Sequence, residues 1–288
     1  MRHMRISPFC EECLYQKERS KSENEDFLKE VRKLLEERDD QVSAPYMIYF
    51  FKKLYAKYGI VEKDWKPIKK QYNDLALSME ESIRKKIFES EDPLARAILY
   101  SRIGNYIDFG AMKDVDDSVF LKLFDQGVFS KEDWETYESF ALQLKEANNF
   151  LLITDNCGEI VFDKLLLKVI KERFPKLHIS VMVRGEEALN DATLEDAYDV
   201  GIDRYADTLL TNEKAITGTV YSVLSESSKK VIDQADIILA KGQGNYESLS
   251  SQGFHVFYLF LCKCQKFIER FSVPKLTGMF IEESPLQI

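Results

Sequence analysis

The chain has 288 residues, 40 Lys and Arg against 49 Asp and Glu, a formal charge of −9 and 45% hydrophobic residues. A chain this apolar buries enough surface to offset its ordering entropy, which excludes disorder as the main state, and at roughly 100–200 residues per domain it holds one large domain or two modest ones. The acidic balance excludes a generic nucleic-acid binder, which needs a basic footprint against phosphates, so any phosphate must be met by a few placed cations or by a metal.

In chain order, the first third reads as helical. Phe27, Val31, Leu34 and Leu35 recur at helical spacing on a charged background, which predicts an amphipathic helix. Residues 46–58 follow Pro45, a residue favoured in a first helical turn, and should end near Gly59. Residues 73–88 and 93–102 continue the pattern, and no strand is predicted before Asn149. The character then changes. Short apolar runs at 149–154 (NFLLIT), 178–183 (HISVMV), 206–210, 236–240 (DIILA) and 254–261 alternate with helical patterns at 159–174, 193–200, 220–234 and from Asn245. Continuous apolar strands alternating with helices predict a parallel sheet covered on both faces. The expected fold is therefore α/β: an N-terminal helical region over residues 1–95, then a three-layer α/β/α domain with a mainly parallel sheet over 96–288.

No run approaches the roughly 18–20 apolar residues of a membrane span; the nearest candidate, 254–262, runs into Lys263. With no apolar signal segment near the start, a cytoplasmic protein without membrane or nucleic-acid partners is expected. Five cysteines, an odd count, argue against a disulfide framework. Cys10-x-x-Cys13 and Cys262-x-Cys264 together offer four thiolates for zinc or a redox pair, but CxC is a poor substitute for a second CxxC, and incidental reduced thiols are the favoured reading. His178 and His255 open apolar runs, where a structural imidazole is the expected role.

In open parallel sheets ligands bind beyond the carboxyl ends of the strands, so the residues just after each run carry the argument. Asp155 and Asn156 follow the first; Arg184, Gly185, Asn190 and Asp191 the second; Lys241, Gly242, Gln243, Gly244 and Asn245 the fourth; Lys263 the fifth. Singly, each is an ordinary helix cap or turn residue. Jointly they place carboxylates, amides and cations on one edge. Asp155, Asn156 and Asp191 are hard oxygen donors suited to Mg²⁺ or Mn²⁺. Arg184 can fork across two phosphate oxygens and Lys241 can act as a point charge. Gly158 and Gly242 permit close backbone approach, and a helix opening at Glu159 turns free N–H groups toward an anion. Cys157 reads as a small filler. Dinucleotide, P-loop and nucleophile-elbow motifs are missing. The 155–159 loop also resembles an acidic-Gly methyltransferase loop without its second glycine.

DNCGEIVFD (155–163), RGEEALNDATLEDA (184–197) and AKGQGNYESL (240–249), in this order, resemble the metal-dependent damage-control phosphatases, which carry an acidic-residue-methyltransferase-like metal-binding domain. GNYIDFGA (104–111), the CKC segment and the opening RISPFCEEC (5–13), similar to the prokaryotic branch with an N-terminal CxxC, extend the likeness over nearly the whole chain. The resemblance implies hydrolysis of small phosphomonoesters such as sugar phosphates with Mg²⁺ or Mn²⁺, Ni²⁺ and Co²⁺ being further candidates, in metabolite damage control. It implies Asp155, Asn156 and Asp191 as metal ligands, Asp155, Lys241 and Arg184 as catalytic groups, and Asn105, Asp108, Glu159, Asn190 and Gly242 around the substrate. For Asn105 and Asp108 ordinary capping after a helix is the alternative. Two departures stand out: Glu186-Glu187 add negative charge beside the phosphate site, and the tail after Phe271 matches little. The alternatives are a module that binds a phosphorylated ligand without turnover and a methyltransferase, for which no acidic ribose-binding motif is present.

Overall fold

The computed structural model describes residues 6–106, 122 and 124–285. Helices α1 (Pro8–Arg19), α2 (Glu25–Glu36), α3 (Ala44–Tyr58), α4 (Lys66–Phe88) and α5 (Pro93–Gly104) come first. Ser7, Asn24, Ser43 and Asp92 cap four of them through side-chain oxygens that accept from first-turn backbone N–H groups. The predicted apolar stripe of α2 is buried at Phe27, Val31 and Leu35, and α3 ends at Gly59, left-handed with φ 65°. Helix α6 (Lys131–Glu146), not anticipated from periodicity, opens with a Ser130/Asp133 capping box.

The second half alternates as expected: β1 (Asn149–Ile153), α7 (Glu159–Arg173), β2 (His178–Val183), α8 (Leu194–Val200), β3 (Thr208–Thr211), α9 (Glu226–Gln234), β4 (Ile237–Lys241), α10 (Gly242–Leu249), β5 (Val256–Leu261) and α11 (Gln265–Phe271). An unforeseen β6 (Gly278–Glu283) closes the sheet, antiparallel to β5, where the tail had offered no pattern. The order is β3-β2-β1-β4-β5-β6, parallel from β3 through β5. The strand order therefore reverses between β1 and β4, the switch point at which such sheets hold ligands.

Alternate residues face opposite layers. Phe150, Leu152, Ile237 and Leu239 join the apolar cluster of α4 to α8, whereas Leu151, Ile153, Ile238 and Ala240 join that of α9 to α11. A third cluster, of α1 to α3, is separate. The apolar clusters thus divide between α3 and α4: α4, placed with the helical region by an expected boundary at 95, lays Tyr72, Ala76, Met79, Ile83 and Ile87 into the layer covering the sheet. The reason is its length of 23 residues, which carries that buried stripe along α7. Among the described residues no helix is long and apolar enough to cross a membrane.

Candidate active site

Just past β1, after Thr154 N–H donates to Met182 C=O at 3.0 Å, the chain places the buried Asp155 and Asn156 at the switch point. The loop after β2 folds back against it. Ala192 N–H donates to Asp155 C=O at 2.8 Å, Cys157 N–H to Asn190 C=O at 2.8 Å and Arg184 N–H to Ala192 C=O at 2.9 Å, and Asn156 and Asp191 form an antiparallel bridge. This backbone pairing, rather than side-chain attraction, brings the two predicted acidic loops together. Asp155, Asn156, Asn190 and Asp191 share one wall of a cavity of about 320 Å³. Its other walls come from α1 and the start of α3 (Phe9, Cys13, Lys17, Pro45) and from the segment beyond β5 (Lys263, Cys264). Larger hollows of about 510 Å³ beside Asp92 and Trp134 and about 390 Å³ between α4 and α8 do not include the strand-end loops after β1 and β4.

Hydrogen bonds hold the donors in place. Asp155 Oδ2 accepts from Asn156 Nδ2 at 2.7 Å and from Asn105 Nδ2 at 3.2 Å. Asn156 Oδ1 accepts from Asn190 Nδ2 at 3.0 Å, and a carbonyl oxygen keeps a second lone pair for another partner. Arg184, wholly buried, donates through Nε to Asp191 Oδ2 at 2.6 Å and through Nη1 to Asn245 Oδ1 at 3.3 Å, while its Nη2 stands 3.6 Å from Asp155 Oδ1. Among the described residues that Nη2 has no hydrogen-bond acceptor. Burial first, then the charges of Asp191 and Glu159, push the Asp155 carboxyl well above its ordinary range, against the pull of Arg184 and Lys263. Gly242, at φ +78°, is required here: a Cβ on it would lie 2.0 Å from Asp155 Oδ2.

Lys241 lies elsewhere. It is still a strand residue, paired with Leu259, so period two turns it with Ile237 and Leu239 into the layer of α5 and α7. Its Nζ is 2.7 Å from Glu159 Oε1 and 2.6 Å from Asp163 Oδ1, and it donates to Ser101 Oγ at 2.7 Å and Ser101 C=O at 3.0 Å. An ammonium has three protons, and these partners occupy them. The structure thus places Lys241 away from the cavity where a phosphate contact was expected; the lysines that line the cavity are Lys17, Lys263 and Lys266, and Lys263 stands two residues beyond the end of β5, where no ladder dictates its direction. Glu159 likewise faces inward, its Oε2 accepting from Asn105 Nδ2 at 2.6 Å and Asn156 Nδ2 at 3.0 Å. Asp163, missed from sequence, is four residues from Glu159 and hence on the same helix face; burial pushes its carboxyl up to about 6, with Lys241 pulling the other way. Asp108 lies outside the described residues.

The other sequence features resolve simply. Glu187 is 2.8 Å from Lys69 Nζ on α4, so its charge is directed at that helix. Cys157 is a buried filler whose thiol burial pushes up. His178 meets Thr208 Oγ1 at 2.9 Å and His255 meets Glu282 Oε1 at 2.8 Å, as structural imidazoles do. Cys10 and Cys13 on α1 line the cavity with Cys264, while Cys262 is buried. Among the described residues no three His, Cys, Asp or Glu side chains group so as to hold a metal by themselves.

The donor chemistry nonetheless suits a hard cation. Asp155 and Asp191 supply carboxylate oxygens and Asn156 an amide oxygen at one cavity wall. Four buried carboxylates (Asp155, Glu159, Asp163, Asp191) face two buried cations, Arg184 and Lys241, with Lys263 at the cavity wall, so carboxylates outnumber cations in the cluster.

Fold and site together define the class: a three-layer α/β/α protein with its polar cluster at the switch point, closed over by N-terminal helices. Within it, the chain belongs to the family of damage-control phosphatase ARMT1-like domains, whose model matches residues 2–276. It is similar to a protein named damage-control phosphatase from Archaeoglobus fulgidus, 32% identical over 277 residues that cover 91% of this chain and 93% of that one. A damage-control phosphatase of Pyrococcus horikoshii is 33% identical over 185 residues, covering 62% of this chain and 61% of the other. The crystal structure of a DUF89 family protein from P. horikoshii superposes with a TM-score of 0.79 at 23% identity, covering 97% of this chain and 99% of that chain, and shows the same fold.

Proposed function

We propose that this protein is a divalent-metal-dependent phosphatase that hydrolyses small phosphorylated metabolites, phosphomonoesters such as sugar phosphates, in metabolite damage control. The observation that carries the reading is the Asn156–Asp191 bridge, which sets two carboxylates and an amide oxygen on the wall of one cavity beside Lys263. The names of the relatives from A. fulgidus and P. horikoshii support it. Asp155, Asn156 and Asp191 would hold Mg²⁺ or Mn²⁺, with Ni²⁺ and Co²⁺ as further candidates; such an ion, when bound, polarises a phosphoryl group and acidifies water. The protein's own share is electrostatic. Arg184 fixes Asp191 through Nε and keeps Nη2 for a phosphoryl oxygen, and Lys263 adds a cation at the wall, so that charge developing in transfer meets preplaced donors. Asn190 steadies Asn156, and Gly242 makes room for Asp155.

The test is release of inorganic phosphate from a panel of phosphomonoesters with Mg²⁺, Mn²⁺, Co²⁺ or Ni²⁺ added in turn, with Asp155→Asn and Asp191→Ala as controls. Metal-dependent release that both variants abolish is the expected result. Tight binding of a phosphomonoester with no release under any metal would make the protein a binding module instead.

A further inference from the structure

Asn105 and Asn156 bring their amides to the same place. Asn156 Nδ2 donates to Asp155 Oδ2 at 2.7 Å and Glu159 Oε2 at 3.0 Å; Asn105 Nδ2 donates to Glu159 Oε2 at 2.6 Å and Asp155 Oδ2 at 3.2 Å. A primary amide can turn either end toward a site, and an ionised carboxylate, the form in which Asp155 would hold a cation, only accepts. Two carboxylate oxygens on one side therefore decide which end of Asn156 faces them, and leave its Oδ1 to the Asn190 side, where it accepts at 3.0 Å. A flipped Asn156 would offer N–H groups where an oxygen ligand is required.

What holds Glu159 in that position is the charge behind it. Its Oε1 is 2.7 Å from Lys241 Nζ, which is 2.6 Å from Asp163 Oδ1. Ser101 Oγ donates to Asp163 Oδ1 at 2.6 Å and accepts from Lys241 at 2.7 Å. Glu159, Asp163, Lys241, Ser101 and Asn105 are all fully buried, out of contact with bulk solvent, so loss of one charge is felt by the next.

We propose that Asp163, Ser101 and Lys241 are positioning residues: through Glu159 they lock the Asn105 and Asn156 amides so that Asn156 presents its carbonyl oxygen to the metal, and Lys241 makes no contact with phosphate. The inference rests on the reading of Asp155, Asn156 and Asp191 as the cation's ligands. Partners that orient metal ligands typically govern about 10–100-fold in metal affinity, and that is the scale expected here.

The experiment is Mn²⁺ binding by calorimetry, without substrate, on the full-length wild type, Asp163→Asn, Ser101→Ala and Lys241→Met, each well below its own melting temperature. Asp163→Asn should raise the Mn²⁺ Kd by about 10–100-fold, and Ser101→Ala, which leaves the ion pairs intact, by a smaller factor. A purely structural role would lower the melting temperature and leave the Mn²⁺ Kd of the folded protein alone. In turnover assays, saturating Mn²⁺ should restore most of kcat in both Asp163→Asn and Ser101→Ala, with KM for the phosphomonoester little changed. The inference is overturned by a Mn²⁺ Kd within twofold of wild type in both variants. It is equally overturned if Lys241→Met raises KM at an unchanged Mn²⁺ Kd, which would return the lysine to the phosphate. A wild type that binds no Mn²⁺ removes this inference together with the metal part of the functional reading. A wild type that binds Mn²⁺ and releases no phosphate removes only the phosphatase reading, and the variants' affinities still decide the positioning role.

Discussion

Replacing Lys241 by Met is the sharpest probe of how this site is built. The ammonium has zero exposure and lies 2.7 Å from Glu159 and 2.6 Å from Asp163. Burial works against its charge, yet those two carboxylates override burial and hold its pKa above the ordinary lysine value. Breaking a buried pair by deleting one partner costs about 3–5 kcal/mol, because the partner charges stay behind without compensation. At ~2–4 °C per kcal/mol for a domain of this general size, the melting temperature should fall by about 10 °C at pH 8. The deficit should shrink toward pH 5. Asp163 already titrates at about 6, above the ordinary carboxylate value of 3.8. A raised carboxyl contributes stability that is full below the unfolded value and lost as pH rises through the folded one. Removing Lys241, which pulls that value down, moves the window upward, so the variant suffers most where the carboxylates are ionised. Differential scanning calorimetry at pH 5, 6.5 and 8 measures this, and adding Asp163→Asn to Lys241→Met should recover part of the loss at pH 8. A lysine directed at substrate would behave oppositely, since active-site cations are usually removed at no cost to stability. A fall of less than 2 °C at pH 8 would refute the reasoning.

Three further outcomes follow from the same geometry. Gly242→Ala should abolish activity without unfolding the protein, because the new Cβ would stand 2.0 Å from Asp155 Oδ2 at a backbone φ of +78°; retention of more than a tenth of wild-type turnover would contradict it. Asp155→Asn should lose phosphate release by at least about 10²-fold, the scale of a lost electrostatic or nucleophilic element, while its melting temperature at pH 7.5 stays level or rises. The gain is expected because a carboxyl whose pKa burial raises carries an unfavourable charge in the folded state. Mn²⁺ at about 100 times its Kd should stabilise the wild type by ~2.7 kcal/mol, read as a rise in melting temperature that Asp191→Ala eliminates.

Much of this architecture is written in the chain, but unevenly. The four inner parallel strands announce themselves because a strand buried on both faces must be apolar throughout, as LLI of β1 and IILA of β4 are, whereas β3, half-buried at the sheet edge, shows only a short run. Strand β6 does not, because it is an edge strand whose residues, Phe280 apart, are only half-buried, and its GMFIEE carries no clean alternation. Helix α1 buries only Leu14, Tyr15 and Glu18, too sparse a stripe to register, although its Ser7-Pro8 start is a legible cap. The site is legible in the same degree. Asp155, Asn156 and Asp191 could be placed together because strand-end loops of a parallel sheet converge, and that rule needs no side-chain detail. Lys241 was harder to place: it reads as a strand-end residue until one sees that the ladder extends through it, and then the spacing from Ile237 and Leu239 assigns it to the interior. The same arithmetic along α7 joins Glu159 to Asp163. What neither rule supplies is the third wall. Cys10, Cys13 and Lys17 reach the cavity because α1 packs on α3 and α3 docks on α10 at the carboxyl edge, where residues far apart in sequence meet, such as Ser43 Oγ 3.2 Å from Ser248 Oγ. The two cores that meet there are separately apolar, so their docking is decided by shape and by a handful of polar contacts rather than by any hydrophobic period. The loops that carry the candidate site are thus set by topology, which a sequence displays, whereas the chemistry of the wall across the cavity is set by packing between layers, which it does not.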